Sequence, residues 1–271
     1  MRYWKGSISL SPIRDYPLLR QVLHSGFVTH NQLFEFLRLD YSASSRNAFN
    51  NRVRRLVNHG LLVRQDTPLG NQGIVYSISH AGATELVGRG DCYVQPVGKP
   101  RSNSAQSGLH HSLELNEIHL ALKRSGTLVY WMPETEIRSR NDLTDNGYWK
   151  YYDAVVTVRL AGQDYKFALE YERTPKAAWR YLAIRERIQQ ENSIPCFLYL
   201  VRNRDLLWLV ADRFLECERT VCFGLFTDFL EQTLTLSVRR SGSPASVSLY
   251  SILTQRKATQ RTGVLFPDIA V

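Results

Sequence analysis

The chain has little cysteine. Its four, Cys92, Cys196, Cys217 and Cys222, form no Cys-x-x-Cys pair and no zinc-ligand spacing, so neither a disulfide scaffold nor a zinc site is expected. Long apolar runs are also missing. Even Ile194 to Val201 is strand-sized and ends at Arg202-Asn203-Arg204, far short of a bilayer span. No export signal is read at the start and no internal repeat along the chain, so a soluble protein of the reducing cytoplasm, with no membrane partner, is expected. Acidic residues are absent from 46–59, a stretch that holds Arg46, Arg52, Arg54 and Arg55.

Over 271 residues, 44% are hydrophobic, enough for a sizeable core and for two domains. The net charge of +9 favours a polyanionic partner. Its distribution is uneven: residues 1–90 hold 11 Lys and Arg against 5 Asp and Glu, a net +6, and the other two-thirds of the chain supplies the rest.

In the first third, apolar residues fall at helical spacing in Leu18-Leu19-Val22-Leu23 and again in Leu33-Phe34-Leu37, with Gly26 between them. A third helix is expected from Arg46 to His59, with Phe49, Val53, Leu56 and Val57 inward and Arg46, Asn47, Asn50, Asn51, Arg54 and Arg55 outward. Gly60 ends it. Leu61-Leu62-Val63-Arg64, the glycine-bearing tip 68–73 and Ile74-Val75-Tyr76-Ser77-Ile78 then read as a hairpin, closed by a helix from His80. Arginine and asparagine are the side chains that bond guanine and adenine edges and phosphates, so Arg46, Asn50, Asn51, Arg54 and Arg55 are candidate DNA contacts, with Arg64 on the backbone.

Between Asp91 and Gly108 the composition turns to proline, glycine and serine, which reads as a linker. A helix with Leu109, Leu113, Ile118 and Leu122 on one face follows. Leu128 to Trp131 reads as a strand extended by Glu134 to Ile137, and Ser139 to Gly147 as a mobile polar stretch. The most informative segment is Lys166-Phe167-Ala168-Leu169-Glu170-Tyr171-Glu172, an alternating strand with Lys166, Glu170 and Glu172 on one face. Asp153 opens the apolar strand before it, and the turn Ala161-Gly162-Gln163-Asp164 makes the two a hairpin. That brings Asp153, Glu170 and Glu172 together as candidate ligands for Mg²⁺ or Mn²⁺, which take carboxylate oxygens and leave places for water and phosphate. A helix over 175–190, a buried strand from Pro195 to Val201, and further strands at 206–210 and 234–238 complete the pattern. The tail from Gln255 is basic.

The order helix, hairpin and closing helix over 14–90 resembles winged helix-turn-helix domains, whose recognition helix would be the Arg46–His59 segment. The order helix, three strands, helix, strand resembles the PD-(D/E)xK nuclease-like fold, with Asp153 and Glu170 in the acidic positions. This chain has Glu172 where that family has its lysine, and Lys166 is the lysine left on the same face. Together with His110-His111, Asp153-Ala154 and Leu169-Glu170-Tyr171-Glu172-Arg173-Thr174, the arrangement resembles the replication-relaxation family, close to plasmid relaxases of the MOB-C type. The resemblance implies an α+β or α/β chain: a winged helix over 1–90, a linker over 91–108, a nuclease-like domain with a mixed sheet over 109–254, and a basic tail over 255–271. It also implies Glu117 or Glu114 as an added ligand and His111 as a site neighbour. The expected function is metal-dependent nicking of DNA in plasmid or mobile-element transfer, with Asp153, Glu170, Glu172 and Lys166 catalytic. The expected partners are duplex DNA, a single strand at the nick, and a second copy or an accessory protein. The rival is a transcription or replication regulator that uses a degenerate nuclease-like domain for dimerisation or docking.

Overall fold

In the computed structural model, residues 8–41, 45–65, 73–90, 105–145, 147–243 and 245–261 are described. The chain divides into two compact units, one of 1–124 with 132–147 and the other of 125–131 with 148–271.

The first unit begins with helix α1 (Asp15–Ser25), the short strand β1 (Val28–Thr29), α2 (His30–Tyr41) and α3 (Arg46–Asn58). Strands β2 (Leu62–Gln65) and β3 (Val75–Ile78) and helix α4 (His80–Gly88) follow, and the three strands pair in the order β1-β3-β2. Leu18, Leu19, Val22, Phe36, Phe49, Val53 and Leu56 form one buried cluster, so the apolar faces expected of the three helices meet in a single core. The helices start where side-chain oxygens can replace missing backbone partners: Ser45 accepts from the Ala48 amide at 3.2 Å and Ser79 from the Gly82 amide at 2.9 Å. Gly82 is required for another reason, since a Cβ there would lie 2.3 Å from the Leu61 carbonyl oxygen.

Helix α5 (Ala105–Arg124) starts inside the expected linker and belongs to this first unit. It packs on α1, α2 and β1; Asn116 donates to the Phe27 carbonyl at 2.8 Å, and Gln32 donates to the Leu113 carbonyl at 2.8 Å. The helix expected to open the second domain is therefore part of the first. Helix α6 (Glu134–Leu143), in the same unit, replaces the strand extension and the first part of the polar stretch expected there. Glu134 and Glu136 lie in its first turn, where the helix dipole favours acid, and Glu134 pairs with Arg138 one turn on.

The second unit is built on a mixed seven-stranded sheet of order β10-β9-β8-β7-β6-β5-β4. Its strands are β4 (Leu128–Pro133), β5 (Ala154–Leu160), β6 (Gln163–Glu172), β7 (Cys196–Val201), β8 (Thr220–Leu225), β9 (Ser237–Arg240) and β10 (Ser246–Ser248), with Met132 and Pro133 counted in the first unit. Strands β5 and β6 form the expected hairpin, pairing Ala154 with Leu169 and Leu160 with Gln163. The two-residue turn has φ of 46° at Ala161 and 75° at Gly162, the doubly positive geometry that matches strand twist. From β6 the chain crosses through α7 (Ala178–Gln190) to the parallel strand β7, and β7 pairs parallel with β8. Such central strands are covered on both faces, and all six residues of β7 are buried.

The 206–210 run is helix, not strand. It lies in α8 (Arg204–Arg213), where the Asn203 carboxamide accepts from the Leu206 amide at 2.9 Å. A short apolar run fits either element by periodicity, and the cap decides. Leu206 and Val210, one turn apart, are buried, and Trp208 is exposed. Helix α9 (Phe226–Gln232) follows β8, and α10 (Leu249–Arg261) takes up the start of the expected tail. Most of the expected tip at 68–73, most of the linker and 262–271 lie outside the described residues, as does Cys92. Cys196, Cys217 and Cys222 are buried and in no disulfide. Among the described residues no helix is long and apolar enough to cross a membrane.

One buried acid ties the first unit together. Asp15 has no exposed surface and accepts from the Ser11 amide at 2.7 Å, Arg52 at 2.7 Å and Arg55 at 2.5 Å, so the first turn of α1 is fixed to α3. Burial alone would raise its pKa, but the Ser11 amide and the two guanidinium groups outweigh it and hold the carboxyl below 3.8. Its stabilisation is present above the ordinary carboxylate pKa and is lost as pH falls through the lowered one. Asp15→Asn, which strands two arginines, should cost about 3–5 kcal/mol at pH 7. Urea unfolding of both proteins at pH 7 and pH 3 measures it; the gap should shrink at pH 3, and an equal gap at both would contradict the ion-pair origin.

Candidate functional site

The acidic row on β6 lies inside the second unit. Glu170 and Glu172 are buried, 6% and 2% exposed. The reason is that β6 is central here, between β5 and β7. A carboxylate cannot be buried without a partner, and each glutamate has a lysine. The Lys150 ammonium, on the segment leading into β5, contacts Glu170 Oε1. Lys176, just after β6, reaches Glu172 Oε2 at 2.8 Å. The Tyr181 hydroxyl, from α7, donates to Glu172 Oε1 and accepts from the Lys176 amide at 3.0 Å.

Asp153 sits at the mouth of β5, half-buried, and its Oδ2 accepts from the Tyr171 amide at 2.7 Å. This bond ties the carboxylate to β6 beside Glu170. Burial pushes the Glu170 carboxyl up to about 7; Lys150 opposes that rise and Asp153 adds to it. The same cluster acts on two tyrosines: burial first, and Glu170 among the nearby acids, push the Tyr152 and Tyr199 hydroxyls far above 10.

The other expected members lie elsewhere. Lys166 pairs in register with Thr157 and stands four residues from Glu170, about 13 Å along a strand, so it does not reach the glutamates. Glu117 is on α5 in the first unit, accepting from Gln32 Nε2 at 2.7 Å, and His111 is on the same helix. His119 is buried there with its ring centroid 4.8 Å from that of Phe36, and burial drops its pKa well below 6.5. Lys150, Lys176 and Tyr181 were not read from the sequence. Lys176 carries a local signal, four residues after Glu172. Lys150 carries none in the strand pattern, because it approaches Glu170 from another segment.

Would these residues hold Mg²⁺ or Mn²⁺? Among the described residues no three His, Cys, Asp or Glu side chains cluster as a cage. Mg²⁺, however, is commonly held by one or two carboxylates with waters and substrate phosphate. Asp153 and Glu170 are hard oxygen donors of that kind, and the Asp153 charge adds to the rise in the Glu170 pKa. Glu172, bound to Tyr181 and Lys176, is engaged in anchoring the β6–α7 junction.

On the first unit, α3 divides its polar residues into two sets. Arg46 donates to Asn31 at 2.5 Å and stacks 4.5 Å over the Phe34 ring, Asn50 meets His30 Nε2 at 3.0 Å, and Arg52 and Arg55 hold Asp15. Asn47, Asn51, Arg54 and Asn58 are exposed on one stripe at helical spacing. Arg64 is exposed on β2.

No protein-family model and no curated protein matches the chain. Among solved structures, restriction endonuclease FokI bound to DNA aligns over 80% of this chain and 43% of its own, with 10% identity and a TM-score of 0.26. FokI without that description of bound DNA aligns over the same shares, with 11% identity and a TM-score of 0.24. The chain thus spans less than half of those proteins, and a likeness this weak defines neither fold nor activity.

The raised Glu170 pKa has a measurable effect. Between about 4.5 and 7 the folded chain keeps a proton that the unfolded chain releases, so stability falls as pH rises through that window, by about 3 kcal/mol at most. Glu170→Gln should flatten this slope in denaturation curves taken at half-unit pH steps. An unchanged slope would show that Glu170 is not its source.

Proposed function

We propose that the chain is a DNA-binding protein whose second unit hydrolyses a phosphodiester bond with a divalent metal, as a nicking relaxase of a plasmid or other mobile element would. The observation that carries this reading is the joining of Asp153 and Glu170 on adjacent strands with the Lys150 ammonium on Glu170. Two acids and one cation are the charges that phosphoryl chemistry requires. The hairpin β5–β6 followed by a crossover to parallel β7 supports a PD-(D/E)xK-like sheet. The order α1-β1-α2-α3-β2-β3-α4 with the small antiparallel sheet supports a winged helix, with α3 as the helix that enters the major groove. Mg²⁺ or Mn²⁺ held by Asp153 and Glu170 would neutralise phosphate charge and lower the pKa of water. Asp153 would orient toward the phosphate through its bond to Tyr171, and the exposed stripe of α3 would hold the duplex.

The regulator reading has an observation of its own: each buried glutamate is already neutralised by a lysine, so the unit is complete without metal. Two experiments decide. Arg54→Ala should weaken duplex binding and lower the salt slope by about one unit, because one phosphate contact is lost. Binding that is unaltered would remove α3 from the interface. With Mn²⁺ and supercoiled plasmid, Asp153→Asn should abolish nicking while binding stays near native, since the amide oxygen still accepts from Tyr171. A plasmid left intact by the native protein supports the regulator.

A further inference from the structure

We propose that Tyr76 and His30 fix the Asn50 carboxamide on α3 with its amide hydrogens outward, which makes Asn50 a reader of guanine in duplex DNA. The inference rests on the reading of α3 as the helix that enters the major groove, and it names the base edge that this helix selects.

Three side chains from three elements are bonded in a line. The Tyr76 hydroxyl, on β3, lies 3.1 Å from His30 Nδ1, and His30 Nε2, at the start of α2, lies 3.0 Å from Asn50 Oδ1. The ring between them cannot swing. Its centroid is 4.9 Å from that of Phe49 and 5.8 Å from that of Tyr76, and the His30 amide donates to the Ile74 carbonyl at 2.8 Å, beside β3. Tyr76 is buried, whereas Asn50 is half-buried. Asn50 stands three residues after Asn47 and four before Arg54, so helical spacing puts it on the edge of the exposed stripe.

The protons in this line can be placed. Burial first, and the Arg46 charge as well, hold the His30 pKa below 6.5, so near neutral pH the ring carries one N–H. With that hydrogen on Nε2, the Tyr76 hydroxyl donates to Nδ1, Nε2 donates to Asn50 Oδ1, and every group in the line is satisfied. With the hydrogen on Nδ1, the Tyr76 hydroxyl would have to accept, and among the described residues its own buried hydrogen would have no other acceptor. A buried donor left unmatched is costly, so the first order holds.

Asn50 is thereby given a direction. Oδ1 commits a lone pair to His30, and among the described residues neither Nδ2 hydrogen is claimed. An amide that is rich in donors matches the guanine edge, where N7 and O6 both accept. Adenine pairs fully with asparagine only when Oδ1 accepts from its N6, and cytosine presents a donor. The Tyr76–His30 and His30–Asn50 contacts span 46 and 20 residues, so no local spacing in the chain carries the signal.

The test has two arms, both on the full chain. Nitrogen NMR of the free protein should find the His30 hydrogen on Nε2 with Nδ1 bare; a hydrogen on Nδ1 overturns the proposal whatever the DNA result. In the second arm, duplexes selected by the protein from a random pool are sequenced. Native protein and Asn50→Ala should differ at one position, where the native chain takes guanine over adenine or cytosine by about tenfold or more and the variant takes all bases about equally. In Tyr76→Phe the two ring tautomers are left about equally satisfied, so the preference for guanine over adenine should narrow to within about threefold at that position. A preference that Tyr76→Phe leaves unchanged overturns the role of the line, and if Tyr76→Phe does not fold, the NMR arm and Asn50→Ala decide. Adenine or cytosine at the Asn50-dependent position, or no such position, overturns the guanine assignment and leaves DNA binding standing. A native protein that enriches no duplex overturns the reading of α3 and the role of Asn50 with it.

Discussion

Two carboxylates buried two residues apart on a central strand must each be paired with a positive group or hold a proton, or their burial is costly. That constraint organises the second unit. Glu170 draws in Lys150 from the segment before β5, and Glu172 draws in Lys176 and Tyr181 from the crossover after β6. Both connections of β6 are thus fixed by charge as well as by packing. An apolar strand in the same place would pack without any of these groups. Keeping the acids costs stability around neutral pH through Glu170, whose carboxyl burial pushes up.

The first unit uses a buried acid differently. Asp15 consumes the charges of Arg52 and Arg55 to lock α1 against α3, and Arg46 is taken up by Asn31 and Phe34. Much of the basic cluster that distinguishes α3 therefore shapes the helix surface from within. The outward stripe is left to Asn47, Asn51, Arg54 and Asn58, three amides and one guanidinium. A stripe of that composition suits base edges as well as phosphates. Net charge alone overstates how many arginines face a partner.

Elements with a strong periodic signal were legible in the sequence. The faces of α1, α2 and α3 and the β5–β6 hairpin follow from spacing and turn residues, and the hairpin sets Asp153 against β6. Where the signal was short, tertiary context decided: 206–210 became a helix because Asn203 caps it, and 134–137 became one because two glutamates favour its first turn. The helix from Ala105 carried an apolar face but no mark of which core it would join, and it joined the first. Lys150 was illegible for a related reason. Its contact with Glu170 spans twenty residues and two segments, and no spacing rule connects them. Lys166, which shares the face of Glu170, is too far along the strand to substitute.

The central proposal is that Asp153 and Glu170 form a site for a divalent cation. A crystal structure of the protein grown with Mn²⁺ and a short DNA duplex tests it most directly, because manganese can be located by its anomalous scattering. The account predicts a peak bonded to the Asp153 and Glu170 carboxylates. No peak at saturating Mn²⁺ would contradict it.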